Sequence, residues 1–240
     1  MVPVALVAGL ALVVPVAILL SWLAATGPTA NQSLAFEWSY ALNSVTVSAA
    51  AAAVAVVAGI PVAYLSARHG GRLADAFERI SYVGYAVPGV VLGLALVFFG
   101  SAYAAPIYQT LYLLVFAYVI RFLPQSVGSL RASFLSVDSS LPEAARTLGQ
   151  TSAGAFRYVT LPLVAPGLFG GAALVFLTTM KELPATLLLR PSGFTTLVTH
   201  IWTAYESGYF GQAAIPALVL LFVSGLSMLV ILRQEGYDVQ

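Results

Sequence analysis

Residues 80–120 run for 41 positions without a single charged side chain. Soluble globular domains carry a charge at about a quarter of their positions. This chain is 60% hydrophobic and only 8% charged over 240 residues, with a mean hydropathy of +0.94. It therefore belongs in a lipid bilayer, where backbone polar groups must be satisfied internally and helices are the natural spanning element. A helix needs about 20 apolar residues to cross the hydrocarbon core. The uncharged run thus makes two crossings, about 80–99 and 106–120, with a turn at Gly100, Ser101 and residues 102–106.

The rest of the chain supplies four more spans. Residues 2–25 carry no charge. The missing basic segment after Met1, and an apolar run about twice the usual length, argue against a cleaved signal peptide. Pro28, Asn31, Gln32 and Glu37 mark a short connection, with Trp38 and Tyr40 as interfacial anchors. The second span, about 41–66, contains unbroken alanine at 49–53 followed by Ala55, Ala58 and Gly59. Small side chains of this kind let membrane helices approach closely. A charged loop with Arg68, His69, Arg72, Asp75, Glu78 and Arg79 comes next, and His69 reads as a solvated loop residue. In the third span Pro88-Gly89 predicts a kink and Gly93 a close-contact face. The fifth span, about 163–180, carries Gly167 and Gly171, and the sixth covers about 210–232. Residues 185–206 between them read as a polar and aromatic loop.

Between spans four and five lies the longest polar section, residues 121–158, and within it LPEAARTLGQTSAGAFRYVTLP at 141–162. Ser140 three residues before Glu143 has capping-box spacing, and Pro142 is tolerated in a first helical turn. A short helix is expected from Ser140 through Glu143, Ala144, Ala145, Arg146 and Leu148, with Gly149 as its exit.

Glu143-Ala144-Ala145, Gly149 six residues after the Glu, then Phe156 and Leu161-Pro162 together resemble the EAA loop of importer-type ABC permeases. The resemblance implies an all-α transmembrane fold, the six-helix bundle of type I importers, as one permease domain over residues 1–240. In that family the loop, here residues 138–162, forms a coupling helix that docks on a cytoplasmic ATPase. Glu143, Ala144, Ala145, Arg146, Leu148, Gly149, Leu161 and Pro162 would carry the coupling. The implied partners are an ABC ATPase dimer, a second permease bundle, a solute-binding protein and membrane lipid. ATP and Mg would be bound by the ATPase and no cofactor by this chain. Its only lysine, Lys181, stands in TTMKELP, so it has no GxxxxGK loop for nucleotide phosphates.

Six spans with both termini cytoplasmic would place Arg68, Arg72, Arg79, Arg121, Arg131, Arg146, Arg157 and Arg233 inside, eight of the ten basic residues, as the positive-inside rule requires. That orientation puts the EAA-like loop in the cytoplasm of a cell whose inner, or plasma, membrane holds the protein.

VFLTTMKELPATLLLRP, residues 175–191, is similar to the corresponding stretch of ferric-iron importer permeases, with Lys181-Glu182-Leu183-Pro184 and Leu189-Arg190-Pro191 carrying the likeness. Those permeases are commonly one chain of twelve spans with two EAA loops. The resemblance therefore implies either a half-size permease, pairing with an identical or different bundle, or the C-terminal half of a fused chain. Fe(III) prefers oxygen ligands. Candidate pathway or docking residues at the expected outer mouth are Lys181, Glu182, Tyr205 and Glu206, with Tyr209 as a further oxygen donor and no firm metal site. Thiamine, polyamine, molybdate, sulfate and phosphonate importers share the loop and are the alternative substrates.

A net charge of +1 excludes a nucleic-acid partner, and the absence of cysteine excludes thiolate metal sites. An ion-coupled secondary transporter would be expected to hold ionisable residues at midspan, and the spans as drawn contain none. A purely structural membrane protein would not need the five-part loop.

Overall fold

The computed structural model of the protein describes residues 2–25 and 35–235. They form helices and turns, with no strand among them. The chain divides into two compact units, one of residues 1–46 and 192–226, the other of residues 47–191 and 227–240.

In the first unit, α1 (Val2–Ala25) is an uncharged helix with the limits expected of the first span. Pro28, Asn31 and Gln32 lie outside the described residues, as does the tail from 236. The helix α2 (Trp38–Arg68) outruns its expected limits at both ends, and the unit boundary falls within it, after Thr46. Its first turns hold the loop near 195: Asn43 Nδ2 donates to the Thr195 carbonyl at 2.9 Å, and the Leu197 N–H donates to Ser44 Oγ at 2.8 Å.

The second unit contains the continuation of α2, where Ala51, Ala55 and Ala63 are fully buried. Gly59 completes a stripe of small residues at four-residue spacing, and a Cβ there would lie 3.0 Å from Ser126 Oγ. This is the packing helix its alanines predict. The charged loop expected at 68–79 is largely helical instead. The helix α3 (Arg72–Ala86) starts inside it and is joined to α4 (Gly89–Tyr103) by a bend of 99°. Pro88 lies extended, and the residue before a proline avoids the helical region, so Val87 is extended too and the expected kink becomes a break.

A 3-10 turn (Ala105–Ile107) leads to α5 (Leu111–Ser136), and here the span drawn at 106–120 is corrected. The helix does not stop at Arg121 but continues past Arg121, Gln125 and Arg131. It can do so because both arginines are matched: Arg121 Nη1 stands 3.4 Å from Glu182 Oε1, and Arg131 Nε stands 3.4 Å from Glu78 Oε2 and 2.9 Å from Ser66 Oγ. Arg121 accordingly leaves the set of arginines assigned to the polar side.

After α5 come the short α6 (Ser140–Thr147) and α7 (Ser152–Ala155), a π-helical stretch (Phe156–Thr160), α8 (Leu161–Leu163) and α9 (Ala165–Met180). Residues 152–163 meet α9 at 64°. Pro162 and Pro166 each remove a helical donor, which accounts for the irregular ladder and the bend. Residues 185–206, expected as a loop, contain two helices, α10 (Pro184–Leu189) and, in the first unit, α11 (Leu197–Glu206). Thr196 and Thr199 close a capping box on α11, a signal the aromatic content of this stretch obscured. The last helix is α12 (Phe210–Glu235).

By length and composition, α2, α5 and residues 210–228 of α12 can each cross a membrane, and the two bent pairs raise the number to five. Residues 9–25 of α1 form a shorter apolar helix.

Candidate functional site

Two places in the second unit combine polar chemistry with fold-determining geometry. The first is α6 and its continuation. The capping box expected from Ser140 and Glu143 is not formed, because Ser140 is already inside the helix. Asp138 does the capping: its Oδ1 accepts the Ser140 N–H at 2.9 Å. That bond, together with the charge of Arg68, holds the Asp138 carboxyl below the usual carboxylate range. Gly149 exits α6 at φ +93°, in the left-handed region where only glycine is unstrained, while the Gln150 N–H reaches back to the Ala145 carbonyl.

No residue of α6 is buried. Glu143, Ala144 and Arg146 face solvent, Ala145 is half-buried, and Leu148 just beyond the helix is 87% exposed. An apolar side chain so exposed on a short polar helix has nothing among the described residues to cover it. The segment beyond Gly149 is anchored instead. Phe156 packs edge-on to Tyr64 of α2 with ring centroids 5.5 Å apart, and lies 6.5 Å from Phe134 of α5. Leu161 packs against the same apolar core of Ala63, Val127, Leu130, Phe134 and Val164, with Pro162 beside it. A cleft of about 480 Å³ lined by Tyr64, Arg68, His69, Glu143, Arg146 and Phe156 separates the exposed helix from its anchor. The arrangement is a lever with a free end at Leu148 and a fixed end at Phe156. His69 lies in solvent, as expected, 5.7 Å from the Tyr64 ring.

The second place is the seam between α5 and the α9–α10 segment. Three polar pairs cross it in antiparallel register. Tyr118 and Thr186 hydroxyls are 2.6 Å apart, Arg121 and Glu182 form the ion pair at 3.4 Å, and the Thr178 hydroxyl lies 2.9 Å from Gln125 Oε1. Thr186 also donates to the Glu182 carbonyl, so Tyr118 is the donor in its pair. Farther along, Ser129 Oγ donates to the Gly167 carbonyl at 3.0 Å. Arg121 stands ten residues into a helix of 26, or about 15 Å from its start. The ion pair is therefore well inside the span.

The structure sets Lys181 and Glu182 apart. Lys181 is exposed, but Glu182 is only 7% exposed and turned into the seam. Tyr205, Glu206 and Tyr209 belong to the other unit and are exposed, with Tyr205 packed edge-on to Phe210. Among the described residues no three His, Cys, Asp or Glu converge on one point. Arg121, Tyr118, Gln125 and Thr178 are absent from the expected site. Their signal was available: polar residues at 118, 121 and 125, and at 178, 182 and 186, recur at helical spacing within apolar segments.

Residues 59–237 match the family described as the inner membrane component of binding-protein-dependent transport systems. The chain belongs to this family. The match covers α6, its anchor and the polar seam together. Among relatives, the chain is 34% identical over 214 residues to the Fe(3+)-transport system permease protein FbpB 2 of Haemophilus influenzae, covering 89% of this chain and 42% of that one. It is 33% identical over 190 residues to a probable molybdenum ABC transporter permease of Haloferax volcanii, covering 77% and 70%. The chain thus spans less than half the length of its Haemophilus relative. In fold it is similar to a bacterial alginate ABC transporter solved in complex with an alginate pentasaccharide-bound periplasmic protein, at a TM-score of 0.69 and 13% identity, covering 96% of this chain and 90% of that one. The fold is that of an ABC importer permease, all-α as its sequence implies.

Proposed function

We propose that this chain forms one membrane bundle of an ATP-driven importer that carries Fe(III) received from a solute-binding protein. The observation that carries the importer reading is the lever: α6 and Leu148 expose a surface with no cover among the described residues, while Phe156 ties the same segment to α2 and α5. An ATPase dimer that binds ATP and Mg would grip the free end, with Glu143, Arg146 and Leu148 in contact and Gly149 as the turn. Its closure would be passed through Phe156, Leu161 and Pro162 to the spanning helices. The bundle would then rock against a second one, either identical or contributed by another part of a longer chain. Both termini and α6 would face the cytoplasm.

Fe(III) is supported by the Haemophilus relative and by a buried carboxylate, Glu182, inside the span. A hard trivalent cation is drawn to carboxylate oxygen. An oxyanion is the second reading, favoured by Arg121 at the same place and by the Haloferax relative. ATP-dependent uptake of radiolabelled ferric iron into proteoliposomes holding the permease, its ATPase and the binding protein tests the assignment, with molybdate, thiamine and spermidine as competitors. Saturable iron uptake unaffected by the competitors is expected. Uptake of molybdate without iron would assign the anion instead.

A further inference from the structure

The ion pair inside the span has three features that a simple clamp does not need. It is loose, since Arg121 Nη1 is 3.4 Å from Glu182 Oε1 and, although buried, makes no hydrogen bond. Glu182 is supported from its own segment as well, because Oε1 accepts the Ala185 N–H at 3.2 Å. The carboxylate therefore has a partner besides the arginine. Finally, the backbone at the α3–α4 break makes room: a Cβ on Gly89 would overlap Arg121 Nη1 and come within 2.8 Å of Glu182 Oε1. The pair thus occupies a notch opposite a glycine, at the one point where the spanning element α3–α4 turns by 99°.

A carboxylate buried in a membrane span needs a counter-charge, since an unpaired buried charge costs several kcal/mol. Arginine stays protonated at any accessible pH. Arg121 is also the more exposed partner, 22% against 7% for Glu182, and its guanidinium carbon is already 5.5 Å from the Phe122 ring. One turn before Glu182, the buried Thr179 hydroxyl makes no hydrogen bond, leaving a neutral oxygen near the same end of α9.

We infer that Arg121 is a tethered counter-cation that neutralises Glu182 in the empty transporter and is displaced from it by the travelling cation, so that Glu182, in the notch facing Gly89, is a transient cation-binding site within the span. This rests on the Fe(III) reading above and extends it. The pair keeps the empty site neutral, which a spanning segment requires, and entry of a cation moves the arginine off the carboxylate. A carboxylate that belongs to no cluster of three or more His, Cys, Asp or Glu among the described residues suits a site that passes a cation on rather than storing it.

The test is a double-mutant cycle in proteoliposomes holding the complete transporter: Glu182→Gln, Arg121→Gln and both together. Ferric uptake is read alongside the radiolabelled iron that stays with the complex when ATP hydrolysis is blocked with vanadate. ATP hydrolysis stimulated by the binding protein controls for assembly. Glu182→Gln and the double variant are expected to lose uptake equally, by tenfold or more, and to retain no iron. Arg121→Gln, with its carboxylate free, should retain severalfold more iron than the unaltered protein while turning over more slowly. A clamp would behave otherwise, since removing both charges relieves the unpaired arginine. Uptake by the double variant above that of Glu182→Gln, or iron retention unchanged in Arg121→Gln, overturns the inference while leaving the Fe(III) reading intact. Should Glu182→Gln fail to assemble, the double variant against Arg121→Gln makes the same comparison without an unpaired arginine. No ferric uptake by the unaltered transporter, with molybdate carried in its place, would remove reading and inference together.

Discussion

Gly84 of α3 sits so close to Ile120 of α5 that a Cβ at position 84 would overlap the Ile120 carbonyl oxygen and lie 2.8 Å from its Cγ2. Pro124 stands four residues after Ile120 and has no N–H to offer that carbonyl. Two irregularities therefore meet, a helix face stripped to hydrogen and a carbonyl relieved of its helical donor. Gly84→Ala should force α3 away from α5 and cost about 1–3 kcal/mol, the usual range for overpacking, read as a lower thermal-aggregation midpoint in detergent. Gly225→Ala in α12, where a Cβ would meet nothing within 4 Å, should leave the midpoint unchanged.

Membrane orientation can be read with single cysteines, because the chain has none of its own. Asp75 in α3 and Ser192 after α10 are both exposed. With the termini in the cytoplasm, an impermeant thiol reagent applied to intact cells should label Ser192→Cys and spare Asp75→Cys. Labelling of Asp75→Cys from outside would invert the orientation.

The spans legible in the sequence were those whose chemistry is uniform. Residues 2–25 carry no charge and form α1 with those limits, and the alanines of α2 pack as small residues should. Gly149 was legible because a left-handed exit has a residue-level signature. Arg121 was misplaced for a physical reason: in a charge count an arginine ends a span, whereas here a carboxylate 61 positions later neutralises it within one. No local pattern names that partner. The capping of α6 failed at finer scale, since Asp138 and Ser140 are both good caps and only the backbone decides which one stands outside the helix.

The Asp138 cap carries a pH signature. Its carboxyl is held below its ordinary value, first by the Ser140 backbone N–H and then by the Ser140 side chain, with Arg68 adding charge. A depressed folded-state pKa means the stabilisation is fully present above the unfolded value and is lost as pH falls through the folded one. At neutral pH the cap is therefore intact. Asp138→Ala should speed amide hydrogen exchange at the start of α6, relative to the α5 interior, at neutral pH. Acidification below the carboxylate range should bring the unaltered protein toward the variant. Equal exchange in the two proteins at neutral pH would mean the cap does not hold the helix.

The lever predicts that its two ends fail differently. Glu143 and Leu148 touch no core, so Glu143→Ala and Leu148→Ser should each change stability by no more than about 0.5 kcal/mol, as surface substitutions do. They should nevertheless weaken capture of the partner ATPase and lower uptake at least fivefold. Phe156 sits between Tyr64 and Phe134 at the fixed end, and Phe156→Ala should cost about 3 kcal/mol of packing. Because the free end is untouched, that variant should still capture the ATPase, yet ATP hydrolysis should no longer respond to the binding protein. Co-purification of the ATPase and stimulated hydrolysis, measured side by side, separate the two failures. Loss of ATPase capture in Phe156→Ala, or full uptake in Leu148→Ser, would mean that force does not enter at α6 and leave through Phe156.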